Sequence, residues 1–123
     1  MKAAGDMGEA AVCEYLCIRG YEILERGFRI RGGEIDIIAR KDGIIAFVEC
    51  KARRASSAVS GIESVTAAQM KRIVKTALEY LRRTECELQP RFDIAGIVIA
   101  EDGAAHKIDY IENAFDATDM DID

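Results

Sequence analysis

The chain predicts an α/β fold, a mixed sheet flanked by helices, on three observations. Two segments, about Met7 to Arg19 and Ala67 to Arg83, carry apolar residues at helical spacing behind capping-box patterns. Gly33 to Lys51 reads as two apolar strands joined at Asp42-Gly43, and Asp-Gly between alternating runs is the strongest short-range hairpin signal. Phe92 to Ala100 is apolar nearly throughout, as expected of a strand covered on both faces.

The first helix has Asp6 as a candidate N-cap with Glu9 three residues later, Ala10, Cys13, Leu16 and Cys17 as its apolar stripe, and Gly20 as a stop. Capping is the simplest reading of Glu9 from the residues alone. Tyr21 to Arg31 is extended, anchored by Tyr21, Ile23 and Phe28, and Arg31-Gly32-Gly33 turns the chain into the hairpin. Ala52 to Gly61 is small, polar and basic, and reads as a loop. Thr66 and Gln69 cap a second helix whose buried face is Met70, Ile73, Val74, Ala77, Leu78 and Leu81. Pro90 ends the connector that follows. A helix between two apolar strands implies a right-handed crossover. Asp102-Gly103 starts another turn, His106 to Ile111 is a short last strand, and Phe115 docks on the core. A single domain over residues 1–115 is expected, with an acidic tail at 116–123.

The hairpin carries the chemistry. With a two-residue loop, paired positions sum to 85, so Ile38 faces Phe47, Asp36 faces Glu49 and Glu34 faces Lys51. Directly opposed residues have Cβ atoms roughly 4.5–5.5 Å apart, and like charges there are destabilising. A divalent cation between the two carboxylates is the simplest reason for such a pair. A four-residue loop keeps this register, whereas a three-residue loop separates the carboxylates along the ladder. The competing reading is the solvated face of an amphipathic hairpin. It fits poorly, because Ile38, Ile45 and Phe47 share that face and charge collects only at its far end.

Composition narrows the alternatives. Among 123 residues, half are hydrophobic and a third charged, which is ordinary for a globular domain. No run of 18 apolar residues and no apolar opening segment predict a cytoplasmic protein without a membrane span or secretory signal. Cys13, Cys17, Cys50 and Cys86 form no Cys-x-x-Cys pair, which argues against zinc, and no nearby Cys/His pair points to a catalytic thiol. The net charge of −5 is uneven: Asp109 to Asp123 holds six acids and no base, and without it 17 bases face 16 acids. Arg26, Arg29, Arg31, Arg40, Lys41, Lys51, Arg53 and Arg54 gather around the hairpin, and Lys71, Arg72, Lys75, Arg82 and Arg83 stud the second helix. Such a pattern suits phosphate contacts, although charge clusters are more often plain solvated surface.

Asp36, twelve residues, then Glu49-x-Lys51 matches the (D/E)xK signature of metal-dependent nucleases. Together with Gly8-Glu9, Gly20-Tyr21, Arg26, Arg29, Gly33 to Ala39, Phe47 to Lys51 with Arg53, Ala77 to Leu81, Arg91-Phe92-Asp93 and Asn113-Ala114-Phe115, it resembles the bacterial YraN-like family over nearly the whole chain. That family is regarded as predicted endonucleases similar to Holliday-junction resolvases of the PD-(D/E)xK, restriction-endonuclease-like superfamily. The resemblance implies an α-β-β-β-α-β core and a metal-dependent endonuclease acting on DNA, structured or branched. It implies Asp36, Glu49, Lys51 and Glu9 as catalytic residues. Mg2+ or Mn2+ would be held by Asp36, Glu49 and the backbone carbonyl of Cys50, with Glu34 behind them. Arg29, Arg31, Arg53 and Arg54 would contact the nucleic-acid backbone, and a homodimer would supply two cuts. Gly27 stands where the family often has Asn, Cys50 where it usually has Val, and Gln69 where Lys is common, which puts a DNA contact at 69 in doubt. Two other classes remain from the residues: a non-catalytic nucleic-acid-binding module of the same fold, and a protein-interaction domain working through the acidic tail.

Overall fold

A computed structural model describes residues 2–54, 65–100, 102 and 105–117. Its elements are α1 (Lys2–Ile18), β1 (Glu22–Ile30), β2 (Gly33–Lys41), β3 (Ile44–Arg54), α2 (Ala67–Thr84), β4 (Gln89–Ile99) and β5 (Ala105–Phe115). The strands form one mixed sheet in the order β1-β2-β3-β4-β5. β3 and β4 run parallel, and the other neighbours are antiparallel. A parallel pair cannot be closed by a tight turn, so the chain spends α2 on the connection.

The two helices cover opposite faces. Val12 and Leu16 of α1 pack on Ile37, Ala39, Ala46, Val48, Ala95 and Ile97. Ile73, Val74, Ala77 and Tyr80 of α2 pack on Ile38, Ile45, Phe47, Phe92 and Ile94. Stacked rings extend the second core from Phe47 through Phe92 to Phe115. The apolar positions of β4 are buried from Phe92 to Val98, as its composition requires.

Local signals hold at the hairpin and at α2. Lys41 pairs with Ile44 and Ile38 with Phe47, across a two-residue turn with φ of +50° at Asp42 and +82° at Gly43. These angles match the primed turn that suits strand twist. Thr66 accepts a hydrogen bond from the Gln69 N–H, and the Gln69 side chain accepts one from the Thr66 N–H. Gly20, at φ +94°, closes α1 with N–H bonds from Gly20 to Cys17 and from Tyr21 to Leu16.

Several expectations need correction. α1 begins at Lys2, so Asp6 lies inside the helix and not at its N-terminal boundary; Ala3-Ala4 ahead of it favour helix. Its buried stripe is Gly8, Val12 and Leu16, while Ala10 and Cys17 are exposed. On α2, Tyr80 and Thr76 are buried and Leu78 faces solvent. β3 runs on to Arg54 because β4 pairs with it that far, so Ala52 to Arg54 belong to a strand. The rest of the expected loop, residues 55–61, lies outside the described residues, as do Gly103 and tail residues 118–123. Pro90 sits inside β4, near its start, where the missing N–H is tolerated. β5 runs over eleven residues, Ala105–Phe115, and so extends beyond the expected His106 to Ile111 to take in Glu112.

Candidate functional site

The β2–β3 ladder ends at the Ile37–Val48 pair. Beyond it β2 stays with β1 and β3 stays with β4, so the expected pairings of Asp36 with Glu49 and of Glu34 with Lys51 are absent from the ladder. The two carboxyl groups come close all the same. Asp36 Oδ2 accepts a hydrogen bond from the Cys50 N–H at 2.8 Å, taking the place of a ladder carbonyl where the strands part. The Asp36 and Glu49 side chains are near enough for each to shift the ionisation of the other. Lys51 Nζ lies 3.6 Å from Glu49 Oε2, and these side chains are 24% and 15% exposed.

The electrostatics follow from burial. Desolvation, then the charge of Asp36, push the Glu49 carboxyl up to about 8, against a smaller opposing pull from Lys51. Asp36 is also raised, chiefly by burial, while the Cys50 N–H and Glu49 draw it back. Two carboxyls this close with little water cannot both ionise easily, so the pair retains a proton at neutral pH. Burial also pushes the Cys50 thiol up, with the charges of Asp36, Glu9 and Glu49 adding to it.

The other expected site residues surround this pair unevenly. Glu9 reaches from α1 on the Cys50 face, 3.7 Å from Arg26. Glu34 does not hold Lys51: it pairs across the ladder with Arg29 at 3.1 Å, although its charge is felt by Asp36. Arg29 is thus engaged with a carboxylate. Arg31 is exposed in the turn before β2, and Arg54 is exposed at the end of β3. Arg53 lies 3.9 Å from Asp109. Gly33 lets the start of β2 approach α2 closely, since a Cβ there would fall 2.0 Å from the Thr76 hydroxyl.

The donor set suits a small hard cation. It offers neighbouring carboxylate oxygens and a proton that a dication would displace, and Mg2+ is commonly held by one or two carboxylates with waters and substrate phosphates completing its shell. Among the described residues, no group of three or more His, Cys, Asp or Glu gathers as a metal cage. Backbone oxygen, water and substrate would therefore have to supply the remaining ligands.

A second polar cluster escaped the sequence reading. Asp93 is fully buried. It accepts hydrogen bonds from Arg91 Nε and Nη2, from the Tyr110 hydroxyl at 2.6 Å and from the Asn113 N–H at 2.9 Å. Arg91 also donates to the Tyr21 hydroxyl. Burial, with Asp93 beside it, pushes the Tyr110 hydroxyl up, so it remains a donor. The one sequence signal was a charged residue in the middle of an apolar strand.

Fold and site together define a five-stranded mixed α/β domain with a carboxyl pair and a lysine where two central strands separate. The chain belongs to the uncharacterised protein family UPF0102, whose profile matches residues 8–97. It is 43% identical over 119 residues to a UPF0102 protein of Trichlorobacter lovleyi, covering 94% of this chain and 91% of the relative. It is 43% identical over 115 residues to one of Pelobacter propionicus, covering 91% and 81%. With one of Symbiobacterium thermophilum it shares 40% over 117 residues, covering 94% and 98%. The family description assigns no activity. Among the described residues, no helix is long and apolar enough to cross a membrane.

Proposed function

We propose that the chain is a divalent-metal-dependent endonuclease that hydrolyses phosphodiester bonds of DNA, with structured or branched DNA as the preferred substrate. The observation that carries this reading is the close approach of Asp36 and Glu49 where β2 and β3 part, with Lys51 3.6 Å from Glu49. Asp36, Glu49 and the Cys50 carbonyl would hold Mg2+ or Mn2+, which when bound supplies Lewis-acid polarisation of the phosphate and acidifies water. Asp36 is pre-positioned by the Cys50 N–H, so it needs little reorganisation to act as a ligand. Lys51 stands beside Glu49, where an ammonium can orient the attacking water or neutralise charge growing on the phosphate. Glu34 is near enough for Asp36 to feel its charge, Glu9 stands on the Cys50 face beside Arg26, and Arg31, Arg53 and Arg54 lie toward the same end of the sheet. Their role would be to grip the sugar-phosphate backbone without reading bases. Arg29 would join them only after releasing Glu34.

Cleavage of single-stranded, duplex, flap and four-way-junction DNA in Mg2+ or Mn2+ tests this. Wild type is expected to cut at least one of these. Glu49→Ala, purified in parallel, should be at least about 100-fold slower, as the loss of several kcal/mol of metal stabilisation requires. Equal cutting by both proteins, or none by wild type while it binds the same DNA, would favour a non-catalytic nucleic-acid-binding module.

A further inference from the structure

Side chains alternate along β3, so Glu49, Lys51 and Arg53 share one face of the sheet. The strand register carries that face outward. Lys51 lies beside Gly96, which lies beside Asp109; Arg53 lies beside Val98, which lies beside Lys107. Gly96 puts no side chain between Lys51 and Asp109. The Asp109 carboxylate is approached from two sides, with Arg53 Nη2 3.9 Å from Oδ2 and Lys107 Nζ 3.3 Å from Oδ1. The three side chains are 24%, 42% and 64% exposed for Arg53, Asp109 and Lys107. An anion is therefore clamped between two cations on the face that carries the candidate site. Arg53 is four strand residues beyond Glu49, roughly 13 Å.

We propose that Asp109 is a built-in phosphate mimic: it fills a binding position for a backbone phosphate between Arg53 and Lys107, and swings aside when nucleic acid seats. This rests on the nuclease reading above. The chemistry is that of exchange between like anions. A phosphodiester carries the same single charge as the carboxylate and offers two oxygens of similar reach. An exposed ion pair contributes little, so a polyanion whose other phosphates are already held can displace it. Seating at this position places one phosphate a few nucleotides from the bond at the Asp36–Glu49 pair, and the mimic keeps isolated small anions from occupying it.

The test is fluorescence anisotropy of a labelled DNA duplex in EDTA, which reads binding without cleavage. Asp109→Asn is expected to tighten binding about fivefold, the scale of one exposed pair. Asp42→Asn, an equal change of charge at the far hairpin turn, is expected to have a much smaller effect. In an Arg53→Ala/Lys107→Ala background, Asp109→Asn should do no more than Asp42→Asn. Equal effects of the two Asn variants in wild type, or an undiminished Asp109→Asn effect without the two cations, would overturn the proposal. Inorganic tripolyphosphate, titrated by calorimetry, separates the two readings. If DNA binds to no variant while tripolyphosphate affinity still follows Asp109 through Arg53 and Lys107, the nuclease reading fails and the anion position stands. If neither probe binds, both fail.

Discussion

Asp93→Ala is expected to destabilise the protein by about 3–5 kcal/mol, the range for removing one partner of a buried ion pair. The carboxylate it deletes is fully buried and satisfies Arg91, the Tyr110 hydroxyl and the Asn113 N–H at once. Alanine leaves all three donors without that acceptor. The Arg91 guanidinium cannot shed its charge to relieve the loss, because arginine stays protonated in proteins, and only the Tyr21 hydroxyl still accepts from it. The cluster also ties β5 to β4 at a register shift between Phe92 and Ile94, so its loss should loosen the edge of the sheet. Urea denaturation midpoints with an unchanged m-value measure the effect. A loss below about 1 kcal/mol would mean that water replaces the carboxylate at little cost.

Glu49→Gln is expected to change how stability depends on pH. In the metal-free protein the Glu49 carboxyl is raised to about 8 from an ordinary value of 4.5. A raised group binds its proton more tightly in the folded state than in the unfolded state. Its contribution is therefore fully present below about pH 4.5 and is lost as pH climbs through about 8. Wild type should lose on the order of 2–4 kcal/mol across that window, a figure reduced for the group's partial exposure and for sharing with Asp36. Glutamine keeps a hydrogen-bonding amide and carries no charge, so the variant should be nearly flat over the same window and more stable than wild type at pH 8. Denaturation in EDTA from pH 5 to 8 reads both curves. Parallel curves would show that Glu49 ionises without cost and that the pair is well solvated. The expected gain from losing a residue proposed to be catalytic is the familiar trade between stability and a charged site.

The hairpin was legible because its signals are local. Asp42-Gly43 fixes the turn, and the turn fixes the register of Ile38 against Phe47. α2 was legible for the same reason, from Thr66 and Gln69. What the sequence could not carry was set by partners distant along the chain. After Ile37–Val48 the two strands part, β2 keeping only its pairing with β1 and β3 only its pairing with β4, a strand that begins about forty residues later. This splay removed the ladder between Asp36 and Glu49 yet kept the carboxyls close together, since the Asp36 side chain bonds the freed Cys50 N–H. The same splay left Glu34 to Arg29. Asp93 was invisible as a buried anchor because its acceptor role is defined by Tyr110, 17 residues away, and indirectly by Tyr21, 70 residues from Arg91. Asp6 misled because a residue suited to a cap is also tolerated within a helix that has already begun at Lys2.

Calorimetric titration of Mn2+ into the protein at pH 8, in two buffers of different ionisation enthalpy, tests the central claim most directly. The carboxyl pair predicts one Mn2+ site with net proton release, because the ion replaces the proton retained by the Asp36 and Glu49 pair. The double variant Asp36→Asn/Glu49→Gln should bind at least about tenfold more weakly and release no proton, having lost two anionic oxygen ligands. Binding of equal strength in the double variant, or no binding by wild type, would contradict a metal centre at this pair.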